Sequence, residues 1–216
     1  GVWDAGRRTA TQRAFAASAL PDAEVLWSST AHELDAYTSA VAQSFSRGCR
    51  AQLRGESSPE LHDLRVEGLR RRLGVMRGVV EVLATGDPSA LRSGPRAAGK
   101  LDELGACEDE RTLLLGMDPP PPGQVEALAR VQGQIDRANS LELLGDLKGS
   151  RAQIDAALIG ARALAHEPTI AEALYLRGSL DIFARRFSAG EAALREALTL
   201  AIASRHDALV SEMWSV

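Results

Sequence analysis

Apolar residues spaced three or four positions apart predict two long amphipathic helices in the first half of the chain, over residues 22–54 and 58–85. Ser58 and Pro59 mark the second start, because a serine cap accepts an orphan amide hydrogen bond and proline fits the first turn. The short connection between the two helices predicts an antiparallel hairpin. The apolar residues expected to face one another are Leu34, Val41 and Phe45 on the first helix and Leu69, Leu73 and Met76 on the second.

Weaker helical signals follow the hairpin. Asp87-Pro88 predicts the start of a further helix, and Gly94-Pro95 is expected to interrupt it, because a proline inside a helix removes one backbone hydrogen bond. Short helical pieces are expected at residues 101–107 and 109–115.

Four consecutive prolines at positions 119–122 favour an extended backbone that cannot continue a helix. They divide the chain into a helical segment built on the long hairpin, a proline-rich linker and a second helical region. The predicted bounds are 1–117 for the first segment, 118–123 for the linker and 124–216 for the second region.

The second region repeats itself at an offset of forty residues, with residues 147–166 matching residues 187–206. Ile154 is matched by Leu194, and Ala157 by Ala197. A period of this length is typical of helical solenoids, whose units stack because none buries its apolar face alone. We therefore expect about two repeats and the start of a third, with a plain helical bundle as the alternative.

The segment 171–201 resembles a tetratricopeptide repeat, although Arg185 stands where that family usually has a turn glycine. The resemblance assigns a large and a small position to the first helix, and a start, a second small position and packing positions to the second helix. In that order these residues are Leu174, Gly178, Phe187, Gly190, Leu194 and Ala197-Leu198.

The same resemblance implies a concave groove that binds a protein or peptide partner. By register its lining would be Gln132, Asn139 and Glu142 from the first repeat, and Glu172, Tyr175 and Ser179 from the second. None of the six is basic, which argues against a clamp for the acidic C-terminus of a peptide. A purely structural, solvated face is the alternative interpretation of these positions.

Four short motifs follow one another in order: GVWD at residues 1–4, LDAY at 34–37, RGCRAQLRGESSPELHDLRVEGL at 47–69, and LDELGACED at 101–109. Their order and spacing resemble the non-catalytic C-terminal region of bacterial transmembrane serine/threonine protein kinases. The resemblance implies a ligand-sensing or protein-interaction module on the extracytoplasmic side of the bacterial inner membrane, anchored by a helix outside this chain. A cytoplasmic tetratricopeptide scaffold without a membrane link is the alternative.

Composition alone favours buried free thiols for the two cysteines, Cys49 and Cys107. The kinase resemblance, with its extracytoplasmic placement, instead implies a disulfide bridge between them. In the family a further cysteine stands at the position of Gly68, and pairing of Cys49 with that lost cysteine would leave both survivors unpaired.

Few aromatic residues (4%) and many helix formers predict an all-α fold. The net charge of −4 gives no reason to expect nucleic acid, and no catalytic, metal-binding or cofactor-binding motif is recognisable, so we expect no enzyme. His166 and His206 share a repeat position, where we expect them near the carbonyl end of a helix. The chain ends within a repeat, so Phe187, Leu194 and Leu198 are expected to be partly uncovered and to favour self-association.

Overall fold

The computed structural model describes residues 1–101 and 121–214, and these residues form nine α-helices and one short 3₁₀ turn, without strands. The all-α prediction is therefore confirmed for them. The helices are α1 (Ala5–Ala17), α2 (Ala23–Leu53), α3 (Pro59–Leu83), α4 (Pro88–Gly99), α5 (Val125–Leu143), α6 (Leu147–Ala163), α7 (Glu167–Phe183), α8 (Phe187–Ala203) and α9 (Asp207–Trp214). The 3₁₀ turn is Pro122–Gln124.

The described residues group into two compact units. The first contains residues 1–101 together with Ser140–Asp146, and the second contains residues 121–139 and 147–214. Helix α5 therefore contributes its last residues to the first unit and its earlier residues to the second. Half of the predicted linker, residues 118–120, lies outside the described residues, and the predicted domain bounds stay a prediction.

In the first unit, α2 and α3 form the predicted hairpin, with bounds one or two residues inside those read from the sequence. Their pairing is antiparallel, since Gly48 lies against Arg65 whereas Thr38, nearer the start of α2, lies against Met76. The hydroxyl of Ser58 accepts a hydrogen bond from the backbone amide of Leu61 at 3.2 Å, as its position before Pro59 predicts.

The core of the first unit is built from large side chains. Phe15 of α1 is 1% exposed and lies in one cluster with Leu34, Met76 and Leu91. The ring of Phe15 also contacts that of Trp27, with centroids 5.8 Å apart. A second, smaller cluster contains Val41, Phe45, Leu69 and Leu73, so the expected facing residues of the hairpin do pack together.

The expected interruption of α4 at Gly94-Pro95 is wrong, because the helix continues through both residues to Gly99. A methyl group added to Gly94 would lie 2.8 Å from the hydroxyl of Thr30 and 3.3 Å from Phe15. Such close packing against α1 and α2 holds the backbone helical and offsets the hydrogen bond that proline removes.

In the second unit, α6, α7 and α8 are each seventeen residues long and begin at twenty-residue intervals. The residues after them that adopt positive φ are Ala165, Arg185 and Arg205, also twenty apart. Each turn makes the same two backbone hydrogen bonds, for example Arg185 N to Ile182 O at 2.9 Å and Arg186 N to Asp181 O at 2.8 Å. This pair of bonds defines the Schellman motif, which ends a helix at a left-handed residue.

Helices α7 and α8 cross where neither has a side chain. A methyl group added to Gly178 would lie 2.7 Å from Leu194 and 3.1 Å from the carbonyl oxygen of Gly190. One added to Gly190 would lie 2.7 Å from Ile182. The small residues expected at Gly178 and Gly190 therefore lie where α7 and α8 pack against each other too closely for a side chain.

Candidate functional site

Helix α7 carries three of the predicted groove residues on one stripe. Glu172, Tyr175 and Ser179 are half-buried, whereas most of the other residues between Thr169 and Asp181 are buried. The spacing of three and four positions places the three on one side of the helix. The stripe is therefore the side of α7 through which a partner could reach this helix.

Helix α5 carries the other three predicted residues, which belong to different units. Gln132 and Asn139 are half-buried, are seven positions apart and belong to the second unit, and the side-chain amide of Gln132 donates to Asp136 at 3.2 Å. Glu142 belongs to the first unit. By helical spacing Glu142 lies on the same side of α5 as Gln132 and Asn139, and its place in the groove stays a prediction.

Glu172 is held by a histidine. The Nε2 of His206 lies 2.8 Å from the Oε1 of Glu172, with the side chains 9% and 13% exposed. The Nδ1 of His206 accepts a hydrogen bond from the backbone amide of Leu209 at 3.3 Å. In the neutral ring the hydrogen is therefore on Nε2, which donates a hydrogen bond to the carboxylate of Glu172. This contact fixes the carboxylate of Glu172 at one end of the stripe.

The expectation for the two histidines is corrected by the structure. Each histidine follows the carbonyl end of a helix, and its backbone amide bonds a carbonyl there, but its ring accepts an amide hydrogen bond from the next helix, which begins one residue later. The ring of His166 accepts from the backbone amide of Thr169 at 3.4 Å, as that of His206 does from Leu209. The reason is that the preceding residue takes positive φ, which ends the earlier helix and turns the histidine to the start of the next.

A cluster of charged residues between α6 and α7 was not found from the sequence. Asp181 is 1% exposed, and its carboxylate accepts hydrogen bonds from Arg151 of α6 and, at 2.7 Å, from Arg186. Asp155 of α6 accepts from Arg177 of α7 and, at 3.2 Å, from Arg151. The one available signal was an acidic residue, Asp181, at a position that the helix period assigns to the buried side.

In this cluster, the pKa values of Asp181 and Arg151 are both shifted toward the ionised form. Burial opposes the ionised form of Asp181, but the hydrogen bonds from Arg186 and Arg151 outweigh it and place the pKa of the carboxyl below its usual range. For Arg151 burial likewise opposes the charge, and the bond to Asp181 outweighs it and raises the pKa of the guanidinium. The cluster is an ion network in which the Nε of Arg177 lies 3.4 Å from Asp181 without forming a hydrogen bond.

Glu142 has the opposite environment. Burial raises the pKa of its carboxyl, and the positive charge of Lys100 only partly compensates. Both residues belong to the first unit. A carboxylate with a raised pKa in a partly buried position could serve as a proton acceptor, but no second catalytic group is described beside it.

Only one of the two cysteines lies within the described residues. Cys49 is exposed, contrary to the expectation of a buried thiol, and Cys107 lies outside the described residues, so the disulfide stays a prediction.

Among the residues that are described, no group of histidine, cysteine and acidic side chains could hold a metal ion. Over the same ranges, none of the helices combines the length and apolar character needed to cross a membrane.

The apolar residues predicted to be uncovered at the C-terminal end differ in exposure. Phe187 is 60% exposed, whereas Leu194 and Leu198 are half-buried.

No protein-family model, curated protein or solved structure matches the chain.

Proposed function

We propose that the chain is a non-catalytic protein-interaction module that binds an extended segment of a partner along the half-buried stripe of α5 and α7. The residues proposed to contact the partner are Gln132, Asn139, Glu172, Tyr175 and Ser179. The module would serve as the sensing or partner-binding region of a bacterial transmembrane serine/threonine kinase, in line with the motif order of residues 1–109.

The observation that carries the proposal is the stripe on α7. Nearly every other residue from Thr169 to Asp181 is buried, so a line of three polar, half-buried side chains is the part of the helix left for a ligand. The same register on α5 supplies Gln132 and Asn139, forty residues before Glu172 and Ser179. Amide, hydroxyl and phenol groups donate and accept hydrogen bonds, which suits recognition of peptide backbone and polar side chains.

Charge narrows the class of partner. The stripe contains one carboxylate, Glu172, and no arginine or lysine, so it offers nothing to an acidic peptide end. A segment with neutral or basic side chains is the better fit. Tyr175 supplies the largest apolar area on the stripe and is the expected anchor.

The test is a selection of random displayed peptides on the whole chain, followed by affinity measurements with point variants. We expect Tyr175→Ala to weaken the selected peptides by about tenfold or more, because an anchor contact is lost. The matched control is Ile159→Ala on α6, where the side chain is 73% exposed and away from the stripe. Peptides that bind wild type and Tyr175→Ala equally would exclude the stripe as the binding surface.

The attachment to a kinase has a separate test. A coding sequence that places a kinase domain and an apolar segment of about 20 residues before residue 1 would support the sensor role. A coding sequence without either would favour the second candidate, a cytoplasmic scaffold that uses the same stripe.

A further inference from the structure

The contact between Glu172 and His206 joins the stripe of α7 to the start of α9. His206 is buried, and its Nε2 lies 2.8 Å from the Oε1 of Glu172. The histidine is itself fixed, because its backbone amide donates to the carbonyl of Ala201 at 2.8 Å and its Nδ1 accepts from the amide of Leu209. The carboxylate of Glu172 is therefore oriented in the chain alone, which lowers the cost of binding a partner to it.

The position of Glu172 stays accessible where further helices follow a repeat. Gln132 has the same register position forty residues earlier, and both α6 and α7 follow it in the chain. Gln132 is half-buried there, as Glu172 is in its own repeat. Asn139 and Ser179, the next pair in the same register, are half-buried as well.

Glu172 is the one charged residue among the five proposed to contact the partner. Tyr175 follows it by one helical turn, about 4.5 Å along the axis of α7. The ring of Tyr175 is half-buried and packs against the core of the second unit. A cation that pairs with a carboxylate is also attracted to the face of a neighbouring aromatic ring, so the two side chains suit the same positively charged group.

We propose that Glu172 determines the charge specificity of the stripe by pairing with one lysine or arginine side chain of the partner segment, and that His206 positions the carboxylate for this pair. The inference rests on the proposed function, because it names the chemistry that the stripe recognises. In its neutral form, the imidazole orients the carboxylate without cancelling its charge. The cationic residue stands one or two positions from the residue on Tyr175, since an extended chain rises about 3.3 Å per residue.

A purely structural role for the pair predicts a different result. If the contact only attached α9 to α7, its loss would weaken every ligand of the stripe by a similar factor. The decisive quantity is therefore a ratio of affinities. It compares a peptide that contains the cationic residue with the same peptide in which glutamine replaces that residue.

The probe is a linear peptide selected on the whole chain from a random displayed library, chosen because Tyr175→Ala weakens its binding. Fluorescence anisotropy measures this peptide and its glutamine counterpart. We expect the wild-type chain to prefer the cationic peptide by about tenfold or more, and this preference should fall as salt rises. Glu172→Gln should reduce it to less than about twofold, because the amide still accepts from His206 but has no charge. Glu167→Gln, at an exposed carboxyl of α7 outside the stripe, is the control and should leave the preference unchanged.

Two variants of His206 separate its positioning role from its role as a helix cap. His206→Asn keeps an oxygen that accepts the amide bond at the start of α9, but its side chain is too short to reach Glu172. The preference should then fall to about threefold or less. His206→Gln has a longer amide that donates to the carboxylate, so it should restore the preference. Circular dichroism of each variant confirms that the helices are intact.

The possible failures are distinguishable. Selected peptides that depend on Tyr175 but show no preference for a basic residue would overturn this inference and leave the proposed function standing. A preference that survives Glu172→Gln would also overturn it, and one that survives His206→Asn would remove the positioning role of the histidine. If no selected peptide depends on Tyr175, the inference and the proposed function are both wrong.

Discussion

Alanine takes a larger share of the buried apolar residues in the second unit than in the first, where Phe15 and Met76 add bulkier side chains. Phe15, Leu34, Met76 and Leu91 are at most 1% exposed in the first unit. In the second, alanines such as Ala157 and Ala197 are fully buried, and two glycines meet at the crossing of α7 and α8. The helices differ accordingly, from 12 to 31 residues long in α1 to α4 but seventeen residues each in α6, α7 and α8.

The two kinds of core impose different conditions on the backbone. Large side chains can adjust their rotamers to fill gaps between helices of unequal length and spacing. Small side chains at a helix crossing cannot compensate for a change in the spacing of the helices. The helices therefore pack at a fixed distance, and each turn places the next helix in the same way. This condition explains why the second unit has a regular period in its sequence and the first unit has none.

The largest expected effect breaks the first core. Phe15→Ala should lower the stability of the first unit by about 3–5 kcal/mol, because it removes a buried ring and leaves a cavity. Phe183→Ala, the same substitution at a side chain that is 72% exposed in the second unit, should change stability by less than about 0.5 kcal/mol. Hydrogen exchange of each unit during urea titration measures both effects. A similar loss from the two variants would contradict the burial on which the comparison depends.

The second prediction concerns the small-residue crossing. Gly178→Val should cost about 3 kcal/mol, because the added carbons meet Leu194 and the backbone of Gly190, which cannot move aside. Gly133→Ala in α5 is the control, since no heavy atom lies within 4 Å of the added methyl group. That change should be neutral or stabilise by up to about 1 kcal/mol through helix propensity. Urea denaturation of both variants decides, and a tolerated valine would mean that α7 and α8 are farther apart than described.

How much of this was predictable depends on whether a feature is local. The bounds of α2 and α3 follow from apolar spacing and from the cap at Ser58, so the sequence predicts them to within two residues. Gly178 and Gly190 were expected as small positions from the resemblance to a tetratricopeptide repeat. By contrast, α1 has only Thr11 and Phe15 buried, too few to show a helical period, and no prediction was made for it.

Features that depend on contacts between distant segments were missed or misread. The helix through Pro95 exists because Gly94 packs against Thr30 and Phe15, which no local rule contains. The pairing of Arg151 with Asp181 joins residues thirty positions apart, and helical spacing alone does not predict which charges meet. Of the predicted groove, the stripe on α7 follows from helical spacing alone, whereas the division of α5 between the two units, with Glu142 in the first, could not be read from the sequence.

The third prediction uses one buried carboxyl from each unit. Asp181→Asn should destabilise the second unit by about 2 kcal/mol at neutral pH, because the charge-assisted bonds from Arg186 and Arg151 are weakened. Glu142→Gln should slightly stabilise the first unit, because burial disfavours the charged form of Glu142. Both variants are measured in the same denaturation experiment. A loss of stability for Asp181→Asn together with a gain for Glu142→Gln would support the difference between the two carboxyls, and changes of the same sign would contradict it.

The pH dependence of the two carboxyls has opposite signs as well. The pKa of Asp181 is lowered in the folded chain, so its contribution is complete above the usual aspartate range near pH 4 and is lost as the pH falls through the folded value. The pKa of Glu142 is raised, so its protonation on acidification stabilises the first unit. Asp181→Asn should therefore flatten the loss of stability of the second unit below about pH 4, as followed by hydrogen exchange.

The smallest expected effect concerns the turns. Among the described residues, the positive-φ positions of the first unit are glycines, including Gly86, whereas those of the second unit are Ala165, Arg185 and Arg205. A left-handed conformation strains any residue with a Cβ by about 1–2 kcal/mol, partly offset because glycine loses more entropy on folding. Gly86→Ala, with no atom near the added methyl group, should thus cost about 1 kcal/mol.

Arg185→Gly should stabilise by up to about 1 kcal/mol, since the Schellman bonds of its turn are made by backbone and are kept. Thermal denaturation of each variant measures the change in its stability. If Arg185→Gly instead destabilises, the side chain of Arg185 contributes more than its left-handed backbone costs, and the turns of the second unit are not strained as a set.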